Sequence, residues 1–180
     1  WITPFDPRRV DNHYTEANAW QYSFFVPHDV GGLIDALGGD ERFVARLDDL
    51  FEADERTTGR DQADITGMIG QYAHGNEPSH HMAWLYHFTG HPEKSRLRLG
   101  KILEEFYTPE PDGLIGNEDC GQMSSWYVLA AYGLYDVAPT SKQWLIIPPM
   151  HESMSITFVD GKVFTTRRTG SGEVQKVTWN

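Results

Sequence analysis

Three short segments of this sequence place carboxylates beside amide, imidazole or aromatic side chains. Glu16 lies in the first segment, Glu77 in the second, and Glu118 with Asp119 in the third. Cleavage of a glycosidic bond needs such groups, because one carboxylic acid protonates the leaving oxygen while another carboxylate activates water. The three segments therefore favour chemistry on carbohydrates.

Composition narrows the classes of partner. The formal net charge is -11 and the pI is near 5.0, whereas nucleic-acid binding needs clustered Lys and Arg. We therefore expect no nucleic acid as partner, while neutral glycans and cations stay allowed. The single Cys120 excludes an internal disulfide and a cysteine-rich zinc site. No apolar run approaches the roughly 20 residues of a membrane span.

The chain begins at Trp1, with neither an initiator Met nor a signal sequence. We therefore expect a processed product or a piece of a longer protein.

Hydrophobic periodicity predicts a helical body up to about residue 140. Helices are expected over 13–25, around 33–37, from a capping Asp40 to residue 51, around 80–88, over 92–106 and over 122–135. Residues 52–64 are expected to form a loop. The last helix is apolar on most sides, which predicts a place inside the helical layer.

Residues 141–180 have the shorter apolar runs that are typical of strands. Strands are expected over 145–147, 153–159, 162–167 and 174–179, with Asp160-Gly161 as a hairpin turn. We therefore place a domain boundary near residue 140. The helical body is too small to close a ring of six helical hairpins, and the strands are too few for a sandwich of about seven. The predicted fold class is mainly α, with both parts unfinished.

The three polar segments resemble patterns of a known family. Residues 16–22 and 26–29 are similar to its Glu-Gly-Asn-Ala-Trp-Gln-Tyr and Val-Pro-His-Asp, with Ala17 in place of Gly. Residues 75–81 match Gly-Asn-Glu-Pro-Ser-His-His, and residues 116–127 resemble Gly-Asn/Asp-Glu/Asp-Asp-x-Gly-Gln-Met-Ser-x-Trp-Tyr. The chain resembles the C-terminal part of the catalytic region of the glycoside hydrolase family 92 exo-acting α-mannosidases.

This resemblance implies an inverting, calcium-dependent hydrolase that removes mannose from the non-reducing end of α-mannosides. Residues 1–140 would be the C-terminal part of an (α/α)6 toroid, and residues 141–180 would belong to a β-sandwich. The partners would be a mannose-containing oligosaccharide and the N-terminal remainder of the same enzyme. A periplasmic or extracellular location in a bacterium is expected on the same ground.

Carried over to the matching positions, the resemblance makes Glu16 the general acid and Asp119 the base. The neighbouring residue types agree, because a carboxyl among aromatic rings is desolvated and kept protonated, whereas one in a loop rich in Gly and Asn stays ionised. The family often has a second carboxylate two residues before the base, where this chain has Asn117, which could orient a water. By residue type alone, Glu16 would more often be an exposed helical carboxylate and Asp119 would compensate a helix dipole.

Asn76 and Glu77 are the candidate ligands for Ca²⁺, which prefers oxygen. They supply a carbonyl and a carboxylate on a turn that Pro78 stiffens. In the family the ion contacts sugar hydroxyls, which would fix and distort the sugar ring. The alternative is that Glu77 only caps a local helix.

Eight further residues are predicted to bind the sugar. Adjacent helical residues point about 100° apart, so sugar hydrogen bonding suits the His pair better than joint metal binding, and one His could simply be packed. The eight residues are Trp20, Gln21, His28, Asp29, His80, His81, Asn117 and Glu118.

The leading hypothesis is an exo-α-mannosidase that cleaves α-1,2 links. The alternative is a catalytically incomplete fragment that binds glycan or calcium, or only packs against the missing N-terminal portion. The unfinished fold favours the alternative, whereas the three polar segments favour the enzyme.

Overall fold

Helices and very short strands alternate along the computed structural model, which describes residues 2–170. The α-helices in that range are α1 (Ala19–Tyr22), α2 (Val30–Leu37), α3 (Asp40–Glu52), α4 (Pro92–Glu105) and α5 (Gln122–Tyr132). Short 3₁₀ helices cover Glu77–Ser79, Met82–Thr89 and Pro139–Ser141. The strands are β1 (Arg9–Val10), β2 (Thr58–Gly59), β3 (Met68–Ile69), β4 (Tyr72–Ala73), β5 (Leu134–Tyr135), β6 (Leu145–Ile146), β7 (Ser153–Thr157) and β8 (Val163–Arg167). The described chain therefore mixes helices with small sheets.

The predicted helix over 13–25 is wrong, because only α1 is helical in that stretch. Glu16 has a φ of 55°, which lies in the left-handed region and breaks a right-handed helix. Asn18 is extended at the N-cap of α1, where its side-chain oxygen accepts from the backbone amides of Trp20 and Gln21. Residues 11–17 therefore form a loop, and Glu16 lies on that loop.

Helix α3 confirms the predicted apolar stripe. The stripe residues Phe43, Val44, Leu47, Leu50 and Phe51 are all buried. Asp40 is the first helical residue rather than the cap, and the N-cap position belongs to Gly39 with no side-chain bond. A carboxylate in the first turn still opposes the helix dipole favourably.

The 3₁₀ helix Met82–Thr89 lies at the centre of the core. Its residues 82–86 are fully buried, and α2, α3 and α4 pack against it. Trp84 in this helix stacks on Tyr135 with 5.1 Å between ring centroids. The predicted helix around 80–88 is thus present with tighter 3₁₀ geometry.

Helix α5 is buried along one face only. Met123, Trp126, Ala130 and Ala131 point inward, whereas Val128 is exposed. Within residues 2–170, where α4 packs against it, α5 therefore does not lie inside the helical layer as expected. Gly133, with a φ of 75°, ends the helix before the predicted residue 135.

The sheets are two-stranded within residues 2–170. Strands β1 and β2 pair in parallel, and β3–β4, β5–β6 and β7–β8 pair antiparallel. The predicted Asp160-Gly161 turn joins β7 to β8, whereas the predicted strand over 174–179 lies outside the described residues. Strands β5 and β6 pair across residue 140, so backbone hydrogen bonds cross the expected domain boundary. The boundary itself stays a prediction. Within the described range, no helix is both long and apolar enough for a bilayer.

A glycine between β3 and β4 provides a test of this packing. Gly70 has a φ of 60°, and an added Cβ would overlap the carbonyl oxygen of Leu50. Gly90 also has a positive φ, of 76°, but open space around its Cβ position. We expect Gly70→Ala to lower the free energy of unfolding by about 1–3 kcal/mol more than Gly90→Ala, because only the former overpacks. Urea unfolding measures the difference, and equal losses would contradict this account.

Candidate functional site

Buried amides hold the loop that carries Glu16. Asn18 Nδ2 donates to Gln71 Oε1 at 2.8 Å, and Gln21 Nε2 donates to the Gln71 carbonyl at 2.8 Å. Gln21 Oε1 accepts from the Asn18 amide at 2.8 Å. All three side chains are buried. Gln71, in the turn between β3 and β4, therefore holds the first polar segment through buried hydrogen bonds. Gln21 therefore faces inward, and its predicted contact with sugar stays a prediction.

Asn76 joins the first polar segment to the second. Its Nδ2 donates to the carbonyl of Glu16 at 3.0 Å, and its Oδ1 accepts from the amide of Glu77 at 3.1 Å. Asn76 is buried, whereas the side chains of Glu16 and Glu77 are exposed. One amide thus holds the backbones of two exposed acids together. The left-handed conformation of Glu16 costs about 1–3 kcal/mol, which such contacts must offset.

The expectation that aromatic rings desolvate Glu16 is wrong for the described chain. Tyr14 and Tyr22 pack on each other, with ring centroids 5.3 Å apart, and the Tyr22 hydroxyl donates to the Thr15 carbonyl. Trp20 is half-buried, and the Arg46 guanidinium lies 3.9 Å from its ring centroid. These rings therefore leave the Glu16 carboxyl open to solvent.

The third polar segment turns tightly before α5. Asp119 and Cys120 have φ values of 54° and 56°. Glu118 caps the helix, because its carboxylate accepts from the backbone amides of Gly121 and Ser124. Hydrogen bonds from Ser124, with a further one from Gly121, lower the pKa of Glu118. Glu118, and not Asp119, is therefore the acid that binds the start of the helix. The Asp119 carboxyl is left for other contacts.

Asp119 meets the second segment at Glu77. The two carboxyl groups are close enough for one to donate a hydrogen bond to the other when it is protonated. Partial loss of solvation is the main cause that raises the pKa of Asp119, followed by the negative charges of Glu77 and Asp64. The contacts Glu16–Asn76, Asn76–Glu77 and Glu77–Asp119 therefore bring all three polar segments into one site.

Asp64 belongs to this site, although its sequence context predicts only a loop. Its Oδ1 accepts from Asn117 Nδ2 at 3.1 Å, and its charge acts on Asp119. Thr66, two residues further on, lies so close to Gly75 and Gly116 that a Cβ on either glycine would overlap its hydroxyl. A solvated acid in a loop has the same local sequence as Asp64. The only sequence signal for its role is therefore its position shortly before the second polar segment.

The two adjacent histidines point into the protein. His80 Nε2 donates to the His74 carbonyl at 2.9 Å, and His81 Nε2 donates to the Phe24 carbonyl at 2.7 Å. Burial is the main cause that lowers the pKa of each to about 4, so both are neutral at physiological pH. Both histidines are therefore packed inside the protein, where only one was expected to be. Their contact with sugar stays a prediction.

His28 and Asp29 lie at a different cavity. They line a space of about 220 Å³ with Phe88, Gln143 and Leu145, and Glu16 does not line it. Asp29 also caps α2, since its Oδ1 accepts from the Gly32 amide at 2.9 Å. The structure therefore does not bring this pair into the cluster around Asp119.

Oxygen donors dominate the cluster. Glu77, Asp119 and Asp64 supply carboxylates, while the Asn76 oxygen already accepts a backbone bond. Within residues 2–170, no three side chains of His, Cys, Asp or Glu are arranged as a metal cage. A hard cation such as Ca²⁺ would suit these donors and would take its further oxygen ligands from backbone, water or a bound sugar.

Comparisons with known proteins point to one family. The sequence matches the glycosyl hydrolase family 92 catalytic domain over residues 1–180. The family GH92 α-mannosidase BT3965 from Bacteroides thetaiotaomicron, in complex with mannoimidazole, is 39% identical with a TM-score of 0.83, over 95% of this chain and 24% of that chain. The inverting mannosidase BT2199 from the same species is 32% identical with a TM-score of 0.75, over 92% of this chain and 24% of that chain.

A curated relative agrees with these structures. An uncharacterized secreted glycosidase of Arthroderma benhamiae is 36% identical over 153 residues, which are 84% of this chain and 18% of that protein. The chain therefore spans at most about a quarter of the length of these relatives.

Asp64→Asn tests the electrostatic coupling in the cluster. The change removes one negative charge and keeps an oxygen that can accept the Asn117 amide. We expect the pKa of Asp119 to fall, because its ionised form then has fewer negative neighbours. A carbon-13 NMR titration of the carboxyl groups measures this pKa, and Asp61→Asn, at an exposed acid of the same loop, is the control. An Asp119 pKa that is the same in both variants and the unmodified protein would contradict the assignment of Asp64.

Proposed function

The chain belongs to the glycosyl hydrolase family 92 catalytic domain family, and from that premise we propose that it carries the acid and the base of an inverting exo-α-mannosidase. The observation that carries this proposal is the row of contacts from Glu16 through Asn76 and Glu77 to Asp119. It joins two acids that are far apart in sequence. The two solved α-mannosidases to which the chain is similar support mannose as the sugar.

In the proposed reaction, Glu16 donates its proton to the glycosidic oxygen as the bond to the anomeric carbon breaks. Asp119 takes a proton from a water molecule, whose oxygen attacks the anomeric carbon from the opposite face and inverts its configuration. An inverting site keeps its two carboxyls roughly 6.5–9.5 Å apart to admit that water. Asn76 and Glu77 lie between the two acids in the row of contacts, which suits such a gap.

The environment of Asp119 suits the role of the base. The raised pKa of Asp119 strengthens it as a base, as long as the pH keeps it ionised. Glu118, with its lowered pKa and its bonds to the start of α5, holds the turn and does not exchange protons. Asn117, whose amide donates to Asp64, would orient the attacking water.

Calcium is the cofactor that we propose, with Glu77 as its carboxylate ligand. After lost solvation, the repulsion among Glu77, Asp119 and Asp64 is the next cause that raises the pKa of Asp119, and a divalent cation would relieve that repulsion. When bound, the ion would hold and polarise sugar hydroxyls. Asn76 would act mainly by fixing the backbone of Glu77, since its amide already makes two hydrogen bonds.

The finer features of the proposal rest on the family. We propose α-1,2 links as substrate, with Trp20 at the sugar subsite and the buried His80–His81 pair behind it. Residues 1–140 would be the C-terminal part of an (α/α)6 toroid that an N-terminal remainder completes, and residues 141–180 would belong to a β-sandwich. The length of the relatives supports such a remainder. A location outside the cell is supported by the relative from Arthroderma benhamiae, which is named as secreted.

A second candidate function is that this chain, taken alone, binds glycan or calcium without turnover. The exposure of Glu16 favours it, because a general acid is normally shielded from water. Activity in a longer natural polypeptide, without activity in these 180 residues, would decide for this candidate.

Glu16→Gln tests the general acid. We expect kcat on mannosides with poor leaving groups to fall by about 10²–10⁴-fold, because the leaving oxygen is no longer protonated, while sugar binding is kept. The measurement uses the longest natural polypeptide that contains these residues, with Glu55→Gln at an exposed acid as control. Near-normal hydrolysis of a poor leaving group by Glu16→Gln would remove Glu16 from this role.

Chelation tests the cofactor. We expect EDTA to abolish mannoside hydrolysis and added Ca²⁺ to restore it, because the ion would hold the sugar against Asp119. Rates before chelation, after chelation and after addition of Ca²⁺ or Mg²⁺ give the answer. Hydrolysis that EDTA leaves unchanged would exclude a calcium role at Glu77.

A further inference from the structure

His74 is fully buried between two tyrosine hydroxyls. The Tyr72 hydroxyl lies 2.7 Å from His74 Nδ1, and the Tyr107 hydroxyl lies 2.7 Å from His74 Nε2. Tyr107 donates its single hydroxyl proton to the Met123 carbonyl at 3.2 Å. His74 Nε2 must therefore carry the hydrogen toward Tyr107, and Nδ1 accepts from Tyr72. Burial is the main cause that lowers the pKa of His74 to about 2, which agrees with one neutral tautomer.

His80 makes a comparable set of contacts. Its Nε2 donates to the His74 carbonyl, which leaves Nδ1 to accept from Gln122 Nε2 at 3.1 Å. Its own carbonyl accepts from Trp126 Nε1 at 3.0 Å. The Trp126 ring meets the His74 ring edge to face, with 4.4 Å between the centroids. The two histidines are thus fixed to each other and to the start of α5.

The partners of these two histidines flank one loop. Tyr107 comes directly before residues 108–121, and Gln122 comes directly after them. That loop carries Asn117, Glu118 and Asp119. His74 therefore holds one end of the loop, and His80 holds the other end.

The contacts between the two segments run in the same order along both. From residue 74 to residue 80, the pairs are His74 with Tyr107, Glu77 with Asp119, and His80 with Gln122. Core packing alone does not require three polar pairs in matching order. The matching order means that the segment from His74 to His80 lies alongside the loop and contacts it along its length.

We propose that His74 and His80 are positioning residues that form a two-histidine clamp with Tyr107 and Gln122. The clamp sets the place of Asp119 beside Glu77, and it acts through Asp119 without touching the sugar. This inference rests on the proposed function, in which Asp119 is the base. It assigns a role to His74, and it moves His80 from sugar binding to the support of the base loop.

His74→Leu removes the donor that holds Tyr107, whereas His74→Gln keeps a donor at a similar reach. Tyr107→Phe removes a single oxygen from the same pair and serves where His74→Leu does not fold. Tyr86→Phe is the matched control, because its hydroxyl donates to Asp48 at 2.9 Å in the same core, away from the loop.

In the longest natural polypeptide, we expect His74→Leu and Tyr107→Phe to lower kcat about 10–100-fold with KM within about twofold, since the base is misplaced and sugar contacts are kept. We expect His74→Gln to recover most of the loss and Tyr86→Phe to leave kcat unchanged. A rise in KM at constant kcat would overturn the proposal, because it would place these residues at the sugar.

Hydrogen exchange provides a readout that does not depend on mannosidase activity. The Gly121 amide donates to Glu118 within the loop. We expect its exchange to become at least about tenfold faster in His74→Leu and Tyr107→Phe, and unchanged in Tyr86→Phe. Unchanged exchange in the first two variants would overturn the clamp. Faster exchange in a protein that releases no mannose would support the clamp and reject the proposed function.

Discussion

One buried amide side chain, that of Asn76, joins the backbone of Glu16 to the backbone of Glu77. The amide can do this only while it is shielded from water, which would otherwise compete for both bonds. Asn76 is buried, and Gln71, in the turn between β3 and β4, also holds Asn18 and Gln21 next to the loop of Glu16. The unusual backbone of Glu16 is therefore a consequence of contacts made far away in sequence.

Division of labour among the acids follows from the same geometry. Glu118 accepts hydrogen bonds from free amides at the start of α5, so its carboxylate serves as a helix cap. Asp119, one residue later, is turned by a positive φ toward Glu77 and is raised in pKa by lost solvation and by its acidic neighbours. Beneath these acids the imidazoles of His74 and His80 are neutral and hydrogen-bonded. A neutral support adds no charge of its own to a cluster whose chemistry depends on charge.

Sequence patterns predicted the elements in which local signals agree with packing. The stripe of α3 and the Asp160-Gly161 turn are such cases, and the three polar segments do meet. The helix expected over 13–25 failed because the Asn18 cap and the contact from Asn76 outweighed helical spacing. Asp64 was missed, and the inward turn of His80 and His81 was not foreseen for both, because each depends on partners from distant segments. Long-range hydrogen bonds leave no periodic trace in a sequence.

The configuration of the first sugar released tests whether Glu16 and Asp119 act together on an inverting path. Proton NMR would follow α-1,2-, α-1,3- and α-1,6-linked mannobiose with the longest natural polypeptide that contains this chain. We expect β-mannose to form first and then to mutarotate, with the fastest release from the α-1,2 link. First release of α-mannose, or no mannose from any of the three, would contradict it.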